Sequence, residues 1–244
     1  MVQFYAPQAS KIQHSIELSP EESKHATAAM RHRVGDRITV FDGMGKRFRA
    51  KITQVTKKKT EVLLEEALPA GTPLHVHTCL AQSLIPKESF DFLIEKATEL
   101  GIDRIIPIQA NRSSVKISSE KKFTKLDHWN HIALAACKQC DRSILPHIEE
   151  PQTSAQILRS FKDYDLILCA DPDHNFPSIF SVIRSAKKPA KVLLLTGPEG
   201  GWEKTEVHNF VSNGATGVSL GNFLLKSETA ALLMISALRY WEDQ

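Results

Sequence analysis

The sequence predicts an α/β protein in which a small β-rich domain is followed by a larger domain built on a mainly parallel sheet. Residues 1–70 show short strand patterns around one short helix, whereas residues 74–244 alternate strand and helix patterns, which is typical of a parallel sheet covered by helices. Between them, Leu68–Pro73 contains two prolines and a glycine and is predicted to be the linker. A chain of 244 residues is long enough for both domains.

The N-terminal domain is predicted to contain one helix and a set of antiparallel strands. Ser19 is a typical N-cap residue, Pro20 stands in the first turn, and Glu22 occupies the capping-box position. This helix is expected to run to about His32. A hairpin is indicated at Asp42 and its following glycine. The predicted strands are Arg37–Phe41, Phe48–Val55 and Thr60–Glu65.

The C-terminal domain is predicted to alternate five strands with helices. The strands are Val76–Ala81, Arg104–Ile108, Leu166–Ala170, Val192–Leu195 and Gly217–Leu220. Apolar residues repeat at helical spacing from Phe90 to Leu100, and Gly101 follows as a C-cap. A longer helix over residues 119–140 is predicted to bury Phe123, Leu126, Trp129, Ile132, Ala133, Ala136 and Cys137. The last helix, residues 229–241, is apolar around much of its girth, so we expect it in the core or against a second subunit.

Composition argues for a cytoplasmic protein that neither enters a membrane nor binds a metal. The chain is 42% hydrophobic and 24% charged, has no apolar run of membrane-spanning length, and begins without a signal-peptide pattern. Its four cysteines are too few and too scattered for a disulfide framework. Cys137 and Cys140 share one predicted helix, and we interpret them as packing residues. Zinc binding or redox chemistry is the alternative.

Positive charge is concentrated near the N-terminus. Residues 31–59 hold ten Lys and Arg but only two Asp, although the whole chain has a net charge of +3. Such a patch suits a phosphate backbone and therefore indicates nucleic-acid binding. A solvated face with a lysine-rich turn is the alternative.

Two glycine-broken loops in the last third of the chain indicate a ligand site. Leu195–Gly201 and Leu220–Leu225 each follow a predicted strand and lead toward a helix. In an open α/β sheet, ligands bind at the carboxyl ends of strands, where such loops lie. Glycine breaks there can present backbone N–H and C=O groups to one small, flat ligand. A phosphate-binding Gly-x-x-x-x-Gly-Lys-Ser/Thr motif is absent, so a nucleotide hydrolase is not supported.

The motifs of these loops resemble a known family. Leu195–Gly201 reads LTGPEGG and Ser219–Ala230 reads SLGNFLLKSETA, and both are similar to the SPOUT superfamily of RNA methyltransferases. The closer resemblance is to its 16S rRNA uridine-N3 methyltransferase family. Further segments agree in order along the chain, namely His25 and Arg31, Glu95–Gly101, Pro107 with Asn111–Ser113, and Gln139 with Arg142 and Pro146.

The resemblance implies an N-terminal PUA-like β-barrel that binds RNA, over residues 1–70. It also implies a C-terminal α/β domain, residues 74–244, tied in a trefoil knot that holds S-adenosylmethionine. A homodimer with active sites at the subunit interface is implied as well, acting on 16S rRNA or the small ribosomal subunit. This chain departs from the family pattern at Phe223 and Lys226, where arginine is usual, at Ser227, where threonine is usual, and at Lys138 and Asp141.

Residue roles follow from the chemistry of methylating uridine N3, which carries a proton at neutral pH. Glu199 or Glu228 is predicted to act as the base if burial raises its pKa. Arg142, Lys226 or Arg112 is predicted to stabilise charge on the uracil oxygens. The alternatives are that Glu228 only stabilises a helix N-terminus and that Glu199 bonds its own loop.

Two residue sets complete the prediction. The cofactor site is predicted from Leu195, Thr196, Gly197, Glu199, Gly200, Gly201, Leu220, Gly221 and Leu225. The RNA-binding residues are predicted to be Arg31, Arg47, Arg49, Lys51, Arg112, Lys116, Gln139 and Arg142. Gln139 and Arg142 are expected one helical turn apart, with a helix-end salt bridge as the alternative. Two other functions stay open: a SPOUT enzyme for tRNA or ribose 2′-O positions, and a non-catalytic RNA-binding member of the fold.

Overall fold

The computed structural model describes residues 3–56, 59–69, 74–172 and 176–242. The chain divides into two compact units, residues 1–73 with 134–145 and residues 74–133 with 146–244. The segment 134–145 thus belongs to the first unit, although the domain boundaries predicted from the sequence assign it to the second. Lys57, Lys58 and residues 70–73 of the predicted linker lie outside the described residues.

The first unit is built on an antiparallel sheet with one parallel pair. Its described strands are β1 (Gln3–Tyr5), β2 (Ser15–Glu17), β3 (Arg37–Phe41), β4 (Arg47–Val55) and β5 (Thr60–Leu68). They are arranged in the order β1-β3-β4-β5-β2, with β1 parallel to β3. Alternate residues of β4, among them Phe48 and Ile52, are buried in a core with Val40 and Leu64. The three strands predicted from period-two alternation are confirmed.

The first helix is shorter than predicted. Helix α1 spans Pro20–Lys24 and continues as a π-helical turn over His25–Ala29, so the regular helix does not run to His32. Ser19 caps it by accepting a hydrogen bond from the backbone N–H of Glu22 at 3.2 Å, as predicted. The Glu22 carboxylate, however, does not close a capping box, because it pairs with Lys138 at 2.7 Å.

The second unit contains the parallel sheet that the sequence predicts. Its described strands are β6 (His77–Ser83), β7 (Arg104–Gln109), β8 (His147–Ile148), β9 (Gln152–Thr153), β10 (Leu166–Ala170), β11 (Lys191–Thr196) and β12 (Thr216–Val218). They follow the order β12-β10-β11-β6-β7-β8, with β9 beside β7, and every pairing is parallel. All five predicted strands are present.

Helices cover both faces of this sheet. They are α2 (Lys87–Glu99), α3 (Lys122–Cys140), α4 (Ser154–Leu158), α5 (Ile179–Ser185), α6 (Lys204–Ser212) and α7 (Ser227–Glu242). Of α3, residues 122–133 belong to this unit. Along β11, Leu194 points into the core formed with α2, α5 and α7, whereas Leu193 points into the opposite core with Phe161 and Phe210. Because both faces are buried, β11 is apolar at consecutive positions rather than alternating.

Two predictions about the long helix α3 are wrong. Phe123, expected in the core, is 69% exposed at the start of the helix, although Trp129 and Cys137 are buried as predicted. The helix ends at Cys140 because Asp141 adopts a left-handed conformation, φ 63°. Arg142 therefore lies beyond the helix, and Gln139 and Arg142 are not one helical turn apart.

The cysteines are free thiols in the described structure. Burial raises the pKa of the Cys79 thiol and that of the Cys137 thiol to about 12, as expected for packing residues. Among the described residues, none of the helices is long and apolar enough to cross a membrane.

Candidate functional site

A cleft of about 490 Å³ lies at the carboxyl ends of β10 and β11. It is lined by the end of β10 and the residues after it (170–172), and by the end of β11 and the turn after it (196–202). The remaining lining residues, 219–221, 223–227 and 230, come from the segment between β12 and α7 and from the start of α7. The two glycine-broken loops thus converge on one cavity, as the sequence predicts. Its volume lies in the range of about 300–1,000 Å³ that is typical of small-molecule sites.

The predicted cofactor residues, with one exception, line this cleft: Thr196, Gly197, Glu199, Gly200, Gly201, Leu220, Gly221 and Leu225. The exception is Leu195. Its side chain is fully buried in the core on one face of the sheet, because β11 continues to Thr196 before the chain turns. The Leu195 side chain therefore does not line the cleft, and a contact of the cofactor with the Leu195 backbone stays a prediction.

Glycines shape the cleft for two different reasons. Gly201 and Gly221 have φ values of +67° and +118°, which other residues rarely adopt, and a Cβ on either would meet no atom within 4 Å. Gly197 is constrained by packing, since a Cβ there would lie 3.2 Å from the Trp202 backbone nitrogen. The first two glycines are needed for backbone conformation, and Gly197 for close approach.

A buried polar network fixes the floor of the cleft. The Thr196 hydroxyl donates to Gln82 Oε1 at 2.6 Å, and Gln82 Nε2 donates to the Ser227 hydroxyl at 2.7 Å. Ser227 in turn donates to the Gly197 carbonyl at 2.5 Å. Strand β6, the turn after β11 and the start of α7 are therefore joined through side chains. Sequence reasoning missed Gln82, although a polar residue within the buried run of β6 was a signal.

The loop after β7 braces the glycine turn from one side. Asn111 Nδ2 donates to Glu203 Oε2 at 2.9 Å, and Arg112 Nη1 donates to the Gly200 carbonyl at 3.3 Å. Glu203 and Glu206 form the capping box of α6. Arg112, predicted to bind RNA or to stabilise charge, is exposed beside the cleft and contacts the glycine turn. Lys116 is also exposed, in the loop that precedes α3.

The predicted catalytic residues occupy different places. Glu199 and Lys226 line the cleft with exposed side chains, so Glu199 lacks the burial on which its role as a base depended. Glu228 lies in the first turn of α7, accepts a hydrogen bond from the Ser89 hydroxyl at 3.2 Å, and does not line the cleft. The geometry thus favours the helix-stabilising role for Glu228.

Arg142 is not among the residues that line the cleft. It lies in the first unit, where its backbone carbonyl accepts a hydrogen bond from Gln3 Nε2 at 2.7 Å. Gln139 is exposed in the same unit, at the end of α3.

The basic residues of β4 lie on one face of the strand. Arg47, Arg49 and Lys51 alternate with buried residues, so their side chains point away from the core. Arg47 is paired with Asp141 at 2.6 Å, and Arg49 with Glu66 at 2.9 Å. Arg31, with φ 57°, is exposed after the π-helical turn.

Several lining residues were not named in the predicted cofactor or catalytic sets, although Pro198, Phe223 and Leu224 lie within the two predicted loops. These are Ala170, Asp171, Pro172, Pro198, Trp202, Ser219, Phe223, Leu224, Ser227 and Ala230. The residues after β10 could have been found, because β10 was predicted and the ends of parallel strands meet at one edge of the sheet.

Comparisons with known proteins identify relatives over both units. The profile of the RNA methyltransferase domain matches residues 72–239, and that of the RNA methyltransferase PUA domain matches residues 18–65. The chain is 28% identical to the ribosomal RNA small subunit methyltransferase E of Bacillus subtilis, covering 93% of this chain and 90% of that protein. The corresponding protein of Synechocystis is 30% identical, over 93% of this chain and 74% of its own length.

Solved structures agree with the sequence relatives. A methyltransferase of Legionella pneumophila, in complex with the bound cofactor SAM, superposes with a TM-score of 0.91 at 31% identity, covering 98% of this chain and 97% of that chain. The ribosomal RNA small subunit methyltransferase E of Neisseria gonorrhoeae, bound to S-adenosyl methionine, gives 0.89 at 25% identity, over 99% and 98% of the two chains. The chain therefore belongs to the RNA methyltransferase family that carries an N-terminal PUA domain and includes the ribosomal RNA small subunit methyltransferase E proteins.

Proposed function

We propose that this protein is an S-adenosylmethionine-dependent methyltransferase that modifies N3 of a uridine in small-subunit rRNA. The observation that carries the proposal is the cleft in which the turn after β11 and the segment before α7 converge. Relatives that match nearly the whole chain are named small-subunit rRNA methyltransferases or have S-adenosylmethionine bound.

The residues of the cleft fit this cofactor. Gly201 and Gly221 leave open space where any other residue would place a Cβ, so main-chain groups can approach a ligand closely. Trp202 lines the cleft, and its Nε1 is buried with no hydrogen-bond acceptor among the described residues.

The bound cofactor supplies an electrophilic methyl group on a sulfonium centre. The residues of the cleft need to align donor and acceptor, which is chiefly a positioning effect. The exposed ammonium of Lys226 is placed to stabilise negative charge on a uracil oxygen once N3 loses its proton. Of the two candidate bases, Glu199 is the one that lines the cleft, and we propose it as the proton acceptor once bound RNA covers its carboxylate, which is exposed in the free protein.

RNA binding is proposed for the exposed side of β4 in the PUA-like unit. Replacing Lys51 with glutamine is expected to lower the salt dependence of RNA binding by about 0.7–0.9 in the slope of log K against log salt. Arg47→Gln is expected to lower it less, because Asp141 already neutralises that guanidinium at 2.6 Å. The triple neutralisation of Arg47, Arg49 and Lys51 should flatten the dependence further. Fluorescence anisotropy with unmodified 16S rRNA at several salt concentrations measures these slopes.

The control for this series is Lys162→Gln, an exposed lysine of the second unit. An unchanged slope in the triple variant would place the RNA-binding surface elsewhere.

The knot and the homodimer are part of the proposal. The chain from Ser219 to Lys226 passes beside the turn after β11, and α7 then begins with Ser227 bonded to the Gly197 carbonyl, which supports a threaded C-terminus. Helices α2 and α7 pack together and expose Phe92 and Tyr240, at 46% and 67%, which supports a second copy as their partner. Light scattering of the purified protein measures its mass in solution, which we expect to be that of two chains.

The test of the function is mass mapping of rRNA from cells with and without this protein. We expect one uridine of the small-subunit rRNA to lose a methyl group at N3 when the protein is absent. A missing methyl group on tRNA or on a ribose 2′-oxygen would favour another specificity within the superfamily. An unchanged RNA would favour a non-catalytic RNA-binding protein.

A further inference from the structure

The rim of the cofactor cleft carries two apolar side chains that nothing in the described chain covers. Phe223 and Leu224 are each 86% exposed, whereas the neighbouring Leu220 and Leu225 are partly buried. They follow Gly221, whose left-handed backbone turns the segment, and they precede the exposed Lys226. Adjacent large apolar groups exposed beside a binding cleft are typical of a contact surface for a ligand.

Two aromatic side chains among the described residues line the cleft, and they differ in solvent exposure. Trp202 is 5% exposed and packs edge-on against Phe210, with ring centroids 5.1 Å apart, so it belongs to the core as well as to the cleft wall. Phe223 has no ring partner among the described residues and presents its ring to solvent. Among the described lining residues it is therefore the aromatic ring that is available to a second ligand.

We propose that Phe223 is a stacking platform for the target uracil and thereby a substrate-positioning residue. The proposal rests on the proposed function. Enzymes that modify a base take it out of the helix and hold it between aromatic or apolar side chains, which Phe223 and Leu224 provide. Stacking covers a face of the uracil and leaves its edge, with N3 in the ring plane, free to face the methyl donor. Lys226, three residues further on, is then placed to meet an oxygen beside N3.

The test compares Phe223→Leu with Phe223→Trp. Leucine keeps an apolar side chain but removes the flat ring, whereas tryptophan keeps a stacking surface. We expect Phe223→Leu to raise the KM for rRNA about tenfold, in keeping with the contribution of one stacked base, and Phe223→Trp to stay within about twofold of the parent protein. Phe123→Leu, which removes an exposed ring on α3 outside the cleft, is the matched control and should leave the KM unchanged.

Two further measurements separate stacking from other occupants of this rim. The affinity for S-adenosylmethionine, measured by isothermal titration, and the mass in solution should both be unchanged in Phe223→Leu. Weaker cofactor binding would overturn the proposal in favour of a lid over the cofactor, and a changed mass would overturn it in favour of a contact between copies.

The substrates are 30S subunits from cells lacking the protein and an unmodified 16S rRNA transcript. Binding of both RNAs is followed by anisotropy as well as by turnover, so the comparison does not depend on the position methylated. If the proposed function is wrong, the parent protein will not methylate uridine N3. If the stacking proposal is wrong, the parent protein and Phe223→Leu will bind the RNA equally well.

Discussion

Replacing Gly201 with valine should raise the dissociation constant for S-adenosylmethionine about 100-fold or more, which corresponds to roughly 3 kcal/mol. Gly201 has φ +67° and lines the cleft, and a Cβ added there would meet no protein atom within 4 Å. We therefore expect the valine methyl groups to enter the cleft and to clash with the cofactor. The conformation is also strained for a β-branched residue, at about 1–3 kcal/mol. Isothermal titration measures the affinity, and thermal unfolding measures the strain.

Gly214→Val is the matched control for this effect. Gly214 also has a left-handed backbone, φ +104°, with no atom within 4 Å of an added Cβ, but it lies between α6 and β12 and does not line the cleft. We expect it to lower the unfolding temperature while cofactor affinity stays close to that of the parent protein. Tight cofactor binding by Gly201→Val would contradict the cleft assignment, and so would an equal loss of affinity in Gly214→Val.

Replacing Gln82 with leucine should cost about 1–3 kcal/mol of unfolding free energy and weaken cofactor binding. The substitution leaves the buried Thr196 hydroxyl without its acceptor, and it removes the donor to the Ser227 hydroxyl, which keeps its own bond to the Gly197 carbonyl. Because those hydroxyls belong to the turn after β11 and to the start of α7, the cleft should loosen with them. Urea unfolding and isothermal titration give the two quantities.

The control variant replaces all three side chains of the buried polar network rather than Gln82 alone. Combining Gln82→Leu with Thr196→Val and Ser227→Ala leaves few buried groups unpaired, and such exchanges are often close to neutral. The triple variant should therefore unfold at a higher urea concentration than Gln82→Leu alone. If the two variants were equally unstable, the loss would come from packing rather than from the hydrogen bonds.

Strand positions could be predicted because burial leaves a local pattern. Alternation predicted β4, with Phe48 and Ile52 buried and Arg49 exposed between them, and a continuous apolar run predicted β11. The glycine breaks located most of the cleft, since the ends of parallel strands meet at one edge of a sheet. The end of β11 could not be predicted, because no local signal shows that the strand continues past Leu195 to Thr196.

Features that depend on distant partners could not be predicted. Glu22 carries a capping-box pattern, yet its carboxylate pairs with Lys138, 116 residues further along the chain. Gln82 and Ser227 are 145 residues apart, and Arg47 and Asp141 are 94 apart. Phe123 fits the helical spacing of the apolar residues in α3, but this spacing does not show whether other elements pack against the first turn of the helix. The π-helical turn at His25–Ala29 arises from backbone hydrogen bonds that composition does not encode.

We expect the cleft between the two glycine loops to support methyl transfer to uridine N3. The most direct measurement incubates the purified protein with 30S subunits from cells lacking it and with S-adenosylmethionine that carries an isotopically labelled methyl group. Nucleosides from the digested rRNA are then separated and identified by mass spectrometry. We expect label in N3-methyluridine from small-subunit rRNA, and much less with Gly201→Val. Label in another nucleoside, or none in any RNA despite cofactor binding, would contradict it.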